Sequence, residues 1–246
     1  MTPLRRFRLE QVDWLFLAAA TGILLLGAGY LASASPDAFQ AQLRWIGVGA
    51  LALGGTMAVG HERLIQHAYL LYSAVLALLV VVLFMRPHRG AHSWIDLPGF
   101  SVQPSELAKI AVVLALARFL MYRENQATLR GLVLPVALVL APTALILKQP
   151  DLGTAMTLAP VLFIVLFASG ARTGHLLGSL GLGAAATVPL WFFVMKDYQK
   201  RRIFAFLDPE RYEAREAYQL VMARIGIGSG GLRGAGWGEG RMNTLG

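Results

Sequence analysis

The chain has 246 residues, of which 56% are hydrophobic and only 15% charged, with a formal net charge of +8 and no cysteine. A soluble domain of this length carries a far more charged surface, and the missing thiols exclude disulfides, thiol catalysis and thiolate metal sites. The cations are spread over both faces of the predicted membrane segments with no soluble binding module beside them, so nucleic acid is not an expected partner.

In chain order, charge-free apolar runs cover residues 14–36, 45–60, 64–85, 131–147, 152–171 and 173–195. Each is near the roughly 17–25 residues that cross a bilayer as a helix. A further segment, residues 105–122, is apolar through 110–117 yet carries Glu106, Lys109 and Arg118, and it is counted as a span. The expectation is an all-α, polytopic transmembrane bundle of about seven helices forming one membrane domain over residues 1–246. Arg5, Arg6 and Arg8 precede the first run, and Ala32-Ser33-Ala34 looks like a signal-peptidase site. The apolar stretch exceeds the roughly 7–15 residues of a signal core and further spans follow, so it reads as an uncleaved first helix.

With the N-terminus in the cytoplasm, short inner loops hold Arg5, Arg6, Arg8, Arg63, Arg123, Arg130 and Arg172, against Arg44, Arg86, Arg89 and Lys148 outside, as the positive-inside rule favours. Two outer loops exceed a simple connection, residues 86–104 and 196–246. The second carries Lys196, Lys200, Arg201, Arg202, Arg211, Arg215, Arg224, Arg233 and Arg241. Long loops escape the charge rule; alternatively, this segment attracts an anionic ligand such as a lipid diphosphate. Asp208 as N-cap, Pro209 at the first helical position, and Glu210 and Glu213 in the opening turns predict a helix in this loop. Tyr218, Val221, Met222 and Ile225 form its apolar face, which should lie against the membrane surface or the bundle. Glycines crowd the stretch from Gly226 to Gly240, and the chain closes at Gly246 in an outer loop without a further hydrophobic segment, which reads as a fragment.

Three constellations bear chemistry. Pro104 and Ser105 open a helix that puts Glu106 in its first turn and Lys109 one turn deeper on the same face. Such a pair is either a helix-end ion pair that snorkels to water or the wall of a polar cavity. Asp151, within Lys148-Gln149-Pro150-Asp151-Leu152-Gly153-Thr154, starts another helix at the same outer face and is either its cap or a member of that cavity. The match Gly226-Ile227-Gly228-Ser229-Gly230-Gly231 follows a helix rather than a strand, so a dinucleotide site is rejected. Its amides, with Arg233, are left as an anion nest or a plain flexible loop. His61, His67 and His175 solvate helix ends, and His88 and His92 are surface groups or metal ligands.

Taken as an ordered set, Ser93-Trp94-Ile95-Asp96-Leu97, Gln103-Pro104-Ser105-Glu106-Leu107-Ala108-Lys109, Gln149-Pro150-Asp151-Leu152-Gly153-Thr154-Ala155, Phe206-Leu207-Asp208-Pro209, Tyr218-Gln219 and Ile225-Gly226-Ile227-Gly228-Ser229-Gly230-Gly231-Leu232 closely resemble the shape, elongation, division and sporulation (SEDS) family. Gly234-Ala235-Gly236-Trp237-Gly238 is more similar to the elongation branch, RodA, than to the division branch, FtsW. The resemblance implies a membrane glycosyltransferase of about ten helices that polymerises lipid II into peptidoglycan strands outside the bacterial cytoplasmic membrane. It implies as partners a class B penicillin-binding protein that crosslinks the strands, other elongation-complex proteins and membrane lipids. Glu106, Lys109 and Asp151 are then the candidate catalytic residues. Trp94, Lys148, Lys196, Lys200, Arg201, Arg202, Gln219, Ser229 and Arg233 are the candidate substrate-binding residues. In such chemistry a carboxylate takes the proton of the acceptor hydroxyl, and cationic groups or a divalent metal, Mg or Mn, stabilise the leaving diphosphate. The family's catalytic aspartate is expected beyond Gly246. A flippase for the lipid-linked precursor and a non-enzymatic scaffold for cell-wall synthesis are the competing readings. A flippase calls for charge at several membrane depths, whereas most intramembrane charge here lies near the outer helix ends.

Overall fold

The computed structural model describes residues 12–85, 93–97, 100–123, 127–149, 151–193, 195–212, 217–231 and 233–240. Arg5, Arg6, Arg8, Arg86, His88, Arg89, His92, Pro150, Glu213, Arg215, Leu232 and Arg241 lie outside these, as do the side chains of Asp96, Leu97 and Arg202. Ten α-helices are present among the described residues: α1 (Trp14–Ala34), α2 (Pro36–Val59), α3 (His61–Gln66), α4 (Ala68–Leu83), α5 (Pro104–Leu120), α6 (Leu129–Lys148), α7 (Leu152–Ala168), α8 (Thr173–Phe193), α9 (Asp197–Leu207) and α10 (Tyr218–Gly230). The architecture is helical, as the apolar runs predict, with one addition: an antiparallel hairpin of β1 (Ile95–Leu97) and β2 (Phe100–Val102), pairing Ile95 with Val102 and Leu97 with Phe100.

All seven predicted segments are helical, and α1, α6 and α8 are long and apolar enough to cross a membrane, with α4 and α7 shorter apolar helices. Two boundaries differ from expectation. The second helix starts earlier, at Pro36, because Ser35 Oγ accepts from Ala38 N at 3.4 Å and proline fits the first turn. Residues 64–85 do not form one helix. His67 Nδ1 donates to Arg63 O at 2.9 Å, the His67 backbone N–H donates to the same carbonyl at 3.1 Å, and the helix is interrupted there between α3 and α4.

Two compact units make up the chain, residues 54–182 and residues 1–53 with 183–246. In the first, α5 presents Ser105, Ala108, Ala111, Val112, Ala115 and Leu116 as a buried stripe at helical spacing. Small residues on this stripe let the helix backbones approach, which is how helices associate when the surrounding solvent is itself apolar. Leu79 of α4, Val139 and Ile146 of α6, and Ala155 and Leu158 of α7 complete the core. Pro135, Pro142 and Pro160 sit inside α6 and α7, a tolerance common where neighbouring helices re-satisfy freed carbonyls. Here Thr143 Oγ1 donates to Val139 O at 2.7 Å and Tyr72 Oη to Leu138 O at 2.7 Å, just before Pro142.

In the other unit α1 buries Ala28 alone, while Leu15 and Phe193 are 82% and 87% exposed. Apolar surface of that extent suits lipid, not water. The C-terminal region departs from the predicted helix. Asp208 Oδ1 accepts from Arg211 N at 3.4 Å and caps only a short 3-10 turn, Glu210–Tyr212. The α-helix begins at Tyr218 and runs through Gly230, so Gly226, Gly228 and Gly230 are helical and their amides serve the helix rather than an anion nest. A helix over Asp197–Leu207 was not signalled by the charge run that fills it.

Candidate functional site

The candidate site lies where α5 and α7 begin, in the unit of residues 54–182. Gln103 takes an extended conformation (φ −104°, ψ 108°) and Pro104 opens α5. Its fixed φ suits that first turn and its missing N–H costs nothing there. Glu106 follows in the first turn, and Lys109 Nζ meets Glu106 Oε2 at 2.8 Å. Their side chains are 55% and 34% exposed. Within the pair, then, the charges compensate each other at a wet helix end.

Asp151 caps α7: its Oδ1 accepts from Thr154 N at 3.1 Å, and its Oδ2 from Thr154 Oγ1 at 2.8 Å. The same Oδ2 accepts from Gln103 Nε2 at 2.8 Å. One carboxylate therefore satisfies an orphan backbone donor of α7 and ties its start to that of α5. With three donors upon it, Asp151 acts as the clasp of the site.

Behind the clasp sits Gln149, fully buried, at the end of α6. Its Nε2 donates to Leu79 O at 3.0 Å on α4, and its backbone carbonyl accepts from Ser93 Oγ at 3.1 Å, fixing the strand that leads into the hairpin. Gln149 Oε1 and Ser105 Oγ, both buried, have no hydrogen-bond partner among the described residues. Burying such atoms costs free energy unless water or a ligand reaches them.

Of the predicted catalytic residues, the structure joins Glu106 to Lys109, and Asp151 to the helix start that carries them. Lys148, the exposed last residue of α6, and Trp94, 38% exposed before β1, belong to the same end of this unit. The remaining candidates belong to the other unit. Lys196 precedes α9, where its backbone N–H donates to Gln199 Oε1 at 3.0 Å. Lys200 Nζ lies 5.9 Å above the Trp191 ring, which packs edge-on against Phe204, and Arg201 is exposed. Gln219 is exposed in the first turn of α10. Ser229 and Arg233 line a groove of about 880 Å³ beside Gly29, Tyr30 and Ser33 of α1. There Gly238 N donates to Ser33 Oγ at 2.7 Å and Ser229 Oγ turns back to Gly226 O at 3.1 Å.

Gln103 and Gln149 were absent from the sequence-derived site. Each stands inside a motif that sequence reading singled out, but an uncharged amide gives no sign of which distant carboxylate or carbonyl it will meet. Among the described residues no three His, Asp or Glu side chains gather as a metal cage. Glu106 is committed to Lys109 and Asp151 to Gln103 and Thr154, so this arrangement does not fit a resident metal.

The sequence model of the FtsW, RodA and SpoVE family, described as cell cycle proteins, matches residues 15–245. The chain is 38% identical over 205 residues to the peptidoglycan glycosyltransferase MrdB of Escherichia coli (strain K12), covering 80% of this chain and 55% of MrdB. It is 33% identical over 255 residues to the probable peptidoglycan glycosyltransferase FtsW of Trichlorobacter lovleyi, covering 97% of this chain and 66% of that protein. Among solved structures, one of a peptidoglycan synthase complex, described as coordinating polymerization and crosslinking, aligns with a TM-score of 0.77 at 35% identity over 90% of this chain and 67% of that one. The crystal structure of the Thermus thermophilus rod shape determining protein RodA aligns with a TM-score of 0.62 at 36% identity, over 72% of this chain and 60% of that one. The chain thus spans from about half to two thirds of the length of these proteins.

Proposed function

This chain belongs to the FtsW, RodA and SpoVE family of cell cycle proteins, the SEDS family, and on that premise we propose that it forms part of a peptidoglycan glycosyltransferase that polymerises lipid II. The observation that carries the reading is the Gln103–Asp151 bond, which clasps two helix starts so that the Glu106–Lys109 pair stands at one wet end of an apolar bundle. A polyprenyl-linked sugar diphosphate needs that combination: apolar surface for its tail and a cation for its head.

In the proposed reaction the acceptor sugar hydroxyl attacks the anomeric carbon of the donor. The bond from that carbon to the diphosphate breaks, and the hydroxyl proton passes to a carboxylate. Lys109 takes the part of diphosphate partner, with Glu106 holding its ammonium in place until the substrate arrives. Asp151 is assigned to positioning, since its lone pairs are engaged by three donors. Lys196, Lys200, Arg201 and Arg202 attract the anionic head from outside.

The site end then faces outward and the N-terminus inward, in the bacterial cytoplasmic membrane, with residues 1–246 within one membrane domain. The likeness to a peptidoglycan synthase complex supports a crosslinking partner, for which a class B penicillin-binding protein is the proposed candidate, within a larger elongation complex. The test is purified protein of its relatives' full length in liposomes with labelled lipid II, scoring glycan polymer and lipid movement between leaflets in the same sample. Polymer without bulk translocation supports the enzyme; translocation without polymer would move the assignment to a flippase.

A further inference from the structure

At the end of residues 54–182 opposite the Gln103–Asp151 clasp, the last turn of α5 and the first of α6 enclose a hollow of about 280 Å³ lined by Phe119, Arg123, Arg130, Gly131, Val133 and Leu134. We propose that this hollow is a binding site for the headgroup of an anionic phospholipid, such as phosphatidylglycerol, in the leaflet at that end. The proposal is independent of glycosyl transfer and concerns a face that the reaction does not use.

Charge complementarity is the first ground. Arg63, Arg118, Arg123, Arg130 and Arg172 all fall at this end of the unit, and Glu62 is the single acid there among the described residues. Every one of these cations is arginine, whereas the opposite end carries Lys109 and Lys148. The planar guanidinium donates in a fork that matches two phosphate oxygens, which an ammonium does not.

The second ground is how the guanidiniums are held. Arg123 lies 5.2 Å from the centroid of the Phe119 ring. On the neighbouring face Arg118 lies 4.7 Å from that of Tyr122, whose hydroxyl it meets through Nη1 at 3.0 Å. Stacking on a ring fixes the plane of an arginine and spares part of the entropy lost on binding. Arg130 makes no ion pair among the described residues. The first amides of α6 are not the attraction, since Thr128 Oγ1 already takes Gly131 N at 3.1 Å.

The third ground is the wall below the cations. Val133 and Leu134 are 64% and 51% exposed and continue directly into the apolar surface of α6. A ligand that fits has an anionic diester at the mouth and hydrocarbon running down the helix, which describes a phospholipid rather than free phosphate.

The experiment is native mass spectrometry of the full chain released from micelles doped with phosphatidylglycerol or phosphatidylcholine. Selective retention of phosphatidylglycerol is expected, falling about fivefold in Arg130→Gln, as expected for one basic side chain near an anionic surface, and further in Arg123→Gln/Arg130→Gln. Arg224→Gln, which removes one charge from the other unit, should retain the lipid like the parent. Arg130→Lys keeps the charge but loses the fork and should fall between the two. Equal retention of both lipids, or undiminished retention in the double variant, overturns the proposal. So does displacement of the lipid by inorganic phosphate at matched ionic strength, which would indicate a free-anion site.

Discussion

Gln103 and Asp151, at the starts of α5 and α7, are joined by a 2.8 Å hydrogen bond from Gln103 Nε2 to Asp151 Oδ2. Forty-eight positions separate them in sequence, so the bond closes a long-range contact between the starts of the two helices. Because the same carboxylate caps α7 through Thr154, loss of Asp151 acts on two helices at once.

Asp151→Ala should therefore lower stability by about 1–2 kcal/mol for the cap alone, with an added cost for the stranded Gln103 amide. Asp151→Asn keeps an acceptor for Thr154 N and should cost less. A double-mutant cycle of Gln103→Ala with Asp151→Ala, read by unfolding in mixed micelles, should show a coupling of about 0.5 kcal/mol or more. Strictly additive effects would mean the bond contributes nothing.

Glu106 calls for the opposite balance. Its pair with Lys109 is half solvated, so Glu106→Gln should change stability by less than about 1 kcal/mol while lowering the rate of polymer formation. The reversed pair, Glu106→Lys with Lys109→Glu, should recover stability and leave activity low. Full activity in the reversed pair would mean that only the ion pair, not the placement of the cation, matters.

Gln149 is buried completely and holds Leu79 O. Gln149→Ala removes the side-chain bond to that carbonyl and opens a void, with an expected loss of about 1–3 kcal/mol. Unfolding midpoints of the parent and variant in the same micelles check this; a loss no larger than that of an exposed glutamine such as Gln219→Ala would contradict the buried role.

Much of this fold was legible because the bilayer imposes a length and an apolarity that a sequence displays directly. The predicted segments are all helical, and Pro104 and Asp151 begin helices as their residue types dictate. What escaped depends on three-dimensional context. The break at His67, where ring Nδ1 and backbone N–H both donate to the Arg63 carbonyl, has no periodic signature. The Gly226–Gly230 stretch looks like loop by composition, yet α10 continues through it; weak helix propensity is overridden once a helix has nucleated upstream. The Glu106–Lys109 pair was legible from its spacing, and Gln103 as the partner of Asp151 was not.

For α9, charge reversal at Lys196, Lys200 and Arg201 should weaken lipid II binding most at low salt, since exposed charges are screened within about 8–10 Å at physiological ionic strength. Affinity measured from low to high salt should converge between parent and variant. A salt-independent difference would exclude electrostatic attraction as the cause.

The most direct measurement is the rate of glycan polymer formation from labelled lipid II by a parent of its relatives' full length and by Lys109→Ala in that same background, compared at equal folded fraction. The account predicts polymer from the parent and a fall of about 10²-fold in the variant, the scale of losing one group that stabilises developing charge. Parental rates in Lys109→Ala, or a parent that moves lipid II across the bilayer without joining it, would contradict it.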